Sequence, residues 1–207
     1  MQRSALILVG GKGTRLGERE KALLTCDGRT LLDKTIEVLN SVVDEVIVSV
    51  RDHRQQEAFS KYVRDVRLLC DVHQGKGPLG GMLEGMREAS GEYVFVVACD
   101  MPFIRSDVIG FLFNEAVGHD AAIPVWNNGR KEPLHSVYNR ERFVPAIEKS
   151  IQQDEYRVMV AVSQLHDVKF IDMDKIQFID EKLVSFSNIN TPADLEQIIQ
   201  RGANDYG

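Results

Sequence analysis

The chain has 207 residues, 43% of them apolar and 27% charged, with a formal net charge of −6. These are ordinary globular values, which exclude a disordered or fibrous class and predict a single domain spanning residues 1–207. The acidic balance excludes a general nucleic-acid binder, which would carry a basic excess, but leaves room for a phosphate-bearing small substrate held by a few focused cations.

The elements follow in chain order. Leu6–Val9 predicts a buried first strand, and a charged, glycine-rich loop comes directly after it. Ala5–Val9 is too short for the apolar region of an export signal, and Gly10-Gly11-Lys12-Gly13 stands where a cleavage site would be. Leu32, Ile36, Leu39 and Val43 recur on one helical face, and Thr30 with Asp33 three residues on forms an N-terminal cap. Val46–Val50 is the second strand, a weaker helix covers Gln55–Val63, and Val66–Cys70 is the third strand. Leu79, Met82, Leu83 and Met86 mark another amphipathic helix. Tyr93–Ala98 is continuously apolar, the type of strand buried on both faces of a parallel sheet, and is far too short to span a membrane. Val108, Leu112, Phe113 and Ala116 give the next helical face.

In the second half, Ala121–Trp126 and Pro133–Tyr138 flank Asn127-Asn128-Gly129-Arg130-Lys131, the expected tip of an antiparallel hairpin. Helices are expected near Val144–Gln152 and Arg157–Leu165, a strand at Val168–Met173, and a helix start at Thr191-Pro192-Ala193-Asp194. Strands alternating with helices imply right-handed βαβ units. The fold class expected is α/β: a doubly wound, mostly parallel sheet with an antiparallel hairpin in its second half. Cys26, Cys70 and Cys99 fit neither a disulfide framework nor a zinc motif and read as reduced thiols, so a cytoplasmic setting without membrane attachment is expected.

Two places carry chemistry. In Leu8-Val9-Gly10-Gly11-Lys12-Gly13-Thr14-Arg15-Leu16-Gly17, glycines let the backbone approach a ligand and aim N–H groups at phosphate oxygens, while Arg15 and Lys21 supply cations. This is not the dinucleotide fingerprint, whose third glycine falls on Leu16, nor the Walker A loop, whose first glycine falls on Leu6. The second place is Asp100, just past the apolar strand. Met101 precedes Pro102 and is held extended, which ends the strand. Ligands of parallel sheets bind beyond the carboxyl ends of the strands, so Asp100 shares an edge with the glycine-rich loop. A carboxylate there suits Mg²⁺, which binds through one or two carboxylates plus substrate phosphates.

Together, Leu8-Val9-Gly10-Gly11-x-x-x-Arg15-Leu16-Gly17-x-x-x-Lys21, Gly77-Pro78-Leu79-Gly80-Gly81, Cys99-Asp100-x-Pro102 and Asn188-x-Asn190-Thr191-Pro192 resemble the molybdenum cofactor guanylyltransferases, of the nucleotide-diphospho-sugar transferase-like fold. The first motif is shared by many pyrophosphorylases; the Gly-Pro-Leu motif with the final Asn-x-Asn-Thr-Pro is more specific. Val9 replaces the usual alanine, Glu20 stands where Asp or Asn is usual, and Ser49 sits where some members have asparagine and is not assigned as a ligand.

The resemblance implies transfer of GMP from GTP to molybdopterin or the molybdenum cofactor, with release of pyrophosphate, Mg²⁺ as cofactor, and transient contacts with other cofactor-biosynthesis proteins. It implies GTP contacts at Leu8, Val9, Gly10, Gly11, Lys21, Asp71 and Asp100, with Asp100 also the metal ligand. Lys21, Asp100 and Arg15 are the expected catalytic residues. Asp71 would accept from the guanine edge or the ribose, and Asn188 and Asn190 fall on the acceptor side.

The attacking phosphate has a second pKa near ~6 and is already largely anionic at neutral pH, so a general base is unnecessary. His135 is therefore read as a strand residue near the acceptor pocket, and His73 as a solvated loop histidine. The alternatives are a cytidylyltransferase on the pterin, a guanylyltransferase on another phosphorylated acceptor, a non-catalytic nucleotide-binding module, and a nicotinamide oxidoreductase. Lys21 and Asp100 weigh against the third, and Leu16 against the fourth.

Overall fold

A computed structural model describes residues 2–9, 21–26, 28–63, 66–71, 77–189 and 194. The first strand, β1 (Arg3–Val9), is buried along almost its whole length because it is central in the sheet. β2 (Thr25–Cys26) and β3 (Arg29–Thr30) form a two-residue hairpin that leads into α1 (Leu31–Asn40). Thr30 caps α1 reciprocally: its Oγ1 accepts from the Asp33 N–H at 3.0 Å, and the Asp33 carboxylate accepts from the Thr30 N–H at 3.2 Å. Both orphan donors are thus satisfied, as the sequence led one to expect. Val43 lies three residues beyond the helix but still packs on the same core.

The chain continues through β4 (Glu45–Val50), α2 (His53–Phe59), β5 (Arg67–Cys70), α3 (Pro78–Glu88), β6 (Tyr93–Ala98) and α4 (Ser106–Ala116). Then come β7 (Ala121–Val125), β8 (His135–Asn139), α5 (Arg140–Gln152), α6 (Val158–Val162), β9 (Val168–Asp172) and α7 (Met173–Gln177). Among the described residues the main sheet has the order β5-β4-β1-β6-β8-β7-β9. β8 runs against both its neighbours, and the other strands share one direction.

Alternation along the central strands splits the core. Ala5, Ile7 and Val9 face α1, α2 and α4; Leu6 and Leu8 face α3, α5 and α6. The sheet is therefore covered on both faces, the doubly wound arrangement expected. Gly85 lets α3 lie close on β1: a Cβ added there would come within 2.6 Å of one Leu6 methyl and 3.0 Å of Leu6 Cγ, and would clash with the other methyl.

The hairpin is present with an irregularity. Val125 bridges Lys131 across the turn, whereas Ala121 pairs with Tyr138, so the register slips by three residues between them. Pro133, which has no N–H to give a ladder, lies in the intervening segment. The strand expected at Val168–Met173 stops one residue early, because Asp172, its last residue and still paired with Val125, is the N-cap of α7, which Met173 opens. The helix start at 191–193 lies outside the described residues, although Asp194 is helical. Among the described residues no helix is long and apolar enough to cross a membrane.

Candidate active site

The parallel strands bring their carboxyl ends to one edge, and the registers fix what meets there. Leu8 pairs with Ser49 on one side and Ala98 on the other, and Val50 pairs with Cys70. The ladders run one step further: the Asp71 N–H donates to Val50 O at 2.7 Å and the Cys99 N–H to Leu8 O at 3.1 Å. Asp71 and Asp100 thus lie just past β5 and β6, on either side of the point where the glycine-rich segment leaves β1. Both are partly buried. Three inter-strand spacings separate β5 from β6, about 14 Å, which is too far for two aspartates to grip one Mg²⁺.

Of the expected phosphate-binding residues, Gly10, Gly11, Gly13 and Arg15 lie outside the described residues. Lys21 enters the structure as the first residue of a single 3-10 turn, Lys21–Leu23. Leu8 and Val9 are core residues at the end of β1, 7% and 2% exposed, so any ligand would meet their backbone rather than their side chains.

The start of α3 reaches the same edge. Gly77 holds φ +60°, a conformation that favours glycine, and Pro78 follows at the first helical position. No side chain caps the helix. Its N-terminal amides and the positive end of its dipole therefore lie at this edge, and such a helix end favours anions. Ser49 is 3% exposed and lies under Gly81, where an added Cβ would stand 2.7 Å from its Oγ. It is a packing residue.

The chain's later part closes over Asp100. After a 3-10 turn at Val184–Phe186, the Ile189 N–H donates to Asp100 O at 2.8 Å. Ile189 is fully buried beside Leu31, with Leu24 and Phe103 packed around them. One backbone bond and one small apolar cluster thereby join the segment bearing Lys21, the Asp100 turn and Asn188, which is exposed. Asn190 lies outside the described residues.

Further along the edge, a cleft of about 310 Å³ opens between the hairpin tip and α7, lined by Trp126, Asn127, Asn128, Met173, Asp174, Gln177 and Leu183. The indole N–H of Trp126 donates to Glu132 Oε1 at 2.6 Å, and the Arg130 guanidinium lies 4.8 Å above the same ring. His135 is a strand residue, as expected, but Phe186 and Trp126 stand between it and this cleft. It is fully buried against Phe95 and Phe186, and its ring nitrogens have no hydrogen-bond partner among the described residues. Burial alone pushes its pKa down to about 3, so it stays neutral.

Cys70 is free, and its thiol is pushed up by burial and by Asp52 and Asp71 nearby, the reverse of an activated nucleophile. Among the described residues no cluster of three metal-binding side chains exists. His73 lies outside the described residues. Sequence reasoning missed Phe186, Trp126 and the Ile189–Asp100 bond, because ring contacts between distant segments leave no periodic signal.

Comparison with known proteins shows the family and the fold. A family profile described as MobA-like NTP transferase domain matches residues 5–168. The probable molybdenum cofactor guanylyltransferase of Methanosarcina mazei is 41% identical, covering 99% of this chain and 93% of its own. Its counterpart from Methanosarcina acetivorans is 43% identical, covering 95% and 90%. Molybdopterin-guanine dinucleotide biosynthesis protein A from Archaeoglobus fulgidus superposes with a TM-score of 0.82 at 29% identity, covering 97% of this chain and 99% of that one. The 2-C-methyl-D-erythritol 4-phosphate cytidylyltransferase of Thermus thermophilus has the same fold, with a TM-score of 0.70 at 18% identity over 99% of this chain and 100% of its own. The chain is a nucleotidyltransferase and belongs to the MobA-like NTP transferase domain family.

Proposed function

We propose that this protein transfers GMP from GTP to the terminal phosphate of molybdopterin or the molybdenum cofactor, releasing pyrophosphate, with one α/β unit holding both substrates along one sheet edge. The observation that carries the reading is the bond from the Ile189 N–H to Asp100 O. It sets the Asn188 segment beside the aspartate just past β6, next to the strand from which the glycine-rich loop departs.

In this reading GTP lies across the ends of β1, β4 and β5. The amides of Gly10, Gly11 and Gly13, with Arg15, hold the β- and γ-phosphates, and the backbone of Leu8 and Val9 lines the start of the loop. Asp71 accepts from the guanine edge or the ribose. Lys21 offsets charge that builds on the α-phosphate and leaving group. The acceptor runs the other way, from the α-phosphorus past Asn188 and Asn190 toward the Trp126 cleft. That cleft offers one indole ring, three amides and the Asp174 carboxylate, groups suited to a flat heterocycle with hydrogen-bonding edges. Transient contacts with other proteins of cofactor assembly would hand over the acceptor.

The donor set fits Mg²⁺: Asp100 supplies one hard oxygen, and substrate phosphates supply more, the usual habit of this ion. Bound there, the ion would neutralise charge on the departing pyrophosphate. The chain's own part is positioning and charge compensation, since the attacking phosphate is already an anion near neutral pH. Thermal-shift titration with Mg²⁺ and each of GTP, ATP, CTP and UTP tests the nucleotide assignment. Ligand at ~100 Kd should add about 2.7 kcal/mol to stability. A preference for CTP would replace the guanylyltransferase reading by the cytidylyltransferase one.

A further inference from the structure

Five rings form a ladder from the core to the cleft. Phe113 on α4 meets Phe95 on β6 with centroids 6.5 Å apart, and Phe95 meets His135 edge-on at 5.1 Å. His135 lies against Phe186 at 4.3 Å, and Phe186 meets Trp126 edge-on at 6.3 Å. The last contacts reach the strap 183–189, which leaves the cleft at Leu183, turns through Val184–Phe186 and ends in the Ile189 bond to Asp100. Leu183 adopts φ +50°, and the Asp180 carboxylate accepts from the Val184 and Ser185 N–H groups at 3.2 and 2.9 Å, so the start of the strap is fixed as well.

We propose that His135 is a positioning residue: through its stack with Phe186 it seats the strap, and so sets Asn188 at the reacting end of the acceptor, without touching substrate or moving a proton. Three observations carry this. The ring is fully buried with aromatic neighbours on two sides. Its nitrogens meet no partner among the described residues, so what holds the ring there is its aromatic contacts. Phe186 lies three residues before Ile189, so displacing it loosens the strap between two fixed points. The imidazole's neutrality agrees, because a charged ring in this aromatic pocket would be unpartnered.

The inference rests on the proposed reaction for its kinetic arm only. The variants are Phe186→Ala, His135→Leu, His135→Phe, Asn188→Ala and the Phe186→Ala/Asn188→Ala pair, all in the full chain. The first readout is hydrogen exchange at the Ile189 amide, which needs no substrate. Phe186→Ala and His135→Leu should lower its protection by about tenfold or more, and His135→Phe, which keeps the ring, should restore it. The second is steady-state kinetics: Phe186→Ala should lower kcat/KM for the acceptor by about 10²-fold while the KM for GTP stays within about twofold. Asn188→Ala should then add less than about threefold on top of Phe186→Ala, since the strap that presents it is already displaced.

Parental Ile189 protection in Phe186→Ala would overturn the proposal. So would a His135→Phe variant no better than His135→Leu, which would restore a role to the nitrogens, or effects of Phe186→Ala and Asn188→Ala that simply multiply. If His135→Leu fails to fold, Phe186→Ala, which alters no strand, decides alone. A parental protein that forms no dinucleotide would defeat the substrate reading, and the exchange result would still decide the strap.

Discussion

Replacing Gly85 by Ala sets two effects of known size against each other. A Cβ at Gly85 would fall 2.6 Å from one Leu6 methyl and 3.0 Å from Leu6 Cγ, and would clash with the other methyl as well. Because the whole isobutyl group is in the way, no single rotamer change clears it, and Leu6 is fully buried in the central strand. Overpacking of this kind costs about 1–3 kcal/mol. Alanine in a helix interior returns about 1 kcal/mol through propensity.

The net expectation is a loss of about 1 kcal/mol, read as a lower urea midpoint with unchanged slope and a Tm lower by about 2–4 °C. Leu6→Val removes one methylene and draws both methyls back from the same contact. The double variant should therefore be more stable than the sum of the singles by about 0.5–3 kcal/mol, a coupling expected of touching residues. Because α3 brings its uncapped first turn to the substrate edge, Gly85→Ala alone should also weaken GTP binding. A variant more stable than its parent, or strictly additive with Leu6→Val, would refute the close seating of α3 on β1.

Asp100→Asn keeps size and one acceptor oxygen but removes the charge that favours Mg²⁺; near-parental melting and kcat lower by at least ~10²-fold are expected, with weak rescue by added Mg²⁺. Full Mg²⁺-dependent activity in that variant would discard the metal role. Lys21→Ala should lower kcat by ~10²–10³-fold and affect GTP binding less; an unchanged kcat with raised KM would make Lys21 a binding residue only. His135 gives a pH signature. Its folded pKa is about 3 against an ordinary 6.5, so between those values the unfolded chain takes up a proton that the folded chain refuses. Its contribution is complete above pH 6.5 and falls by up to ~1.4 kcal/mol per pH unit as the pH drops toward 3. Urea midpoints at pH 6.5 and 4.5 should therefore fall less in His135→Phe than in the parent, and an equal fall would contradict the buried neutral ring.

Much of this edge was legible in the sequence. Asp100 was placed because Tyr93–Ala98 is continuously apolar and Met101-Pro102 stops it, both local effects, and the Thr30–Asp33 cap was readable for the same reason. The hairpin was readable from its turn residues. Its pairing was not, because β8 inserts between β6 and β7, and the three-residue register slip is decided by strands distant in sequence. α7 and the Val184–Phe186 turn are too short to show a period. His135 read as a strand residue near the acceptor pocket; its ring stack needed Phe95 and Phe186, which lie 40 and 51 positions away in the chain.

The most direct test of the central claim is product formation. The purified chain, Mg²⁺ and molybdopterin are supplied with GTP or CTP in turn, and both pyrophosphate and the pterin dinucleotide are quantified. Pyrophosphate and guanine dinucleotide are expected in equal amounts with GTP, and little of either with CTP. Dinucleotide formed preferentially from CTP, or pyrophosphate released from GTP without a pterin product, would contradict it.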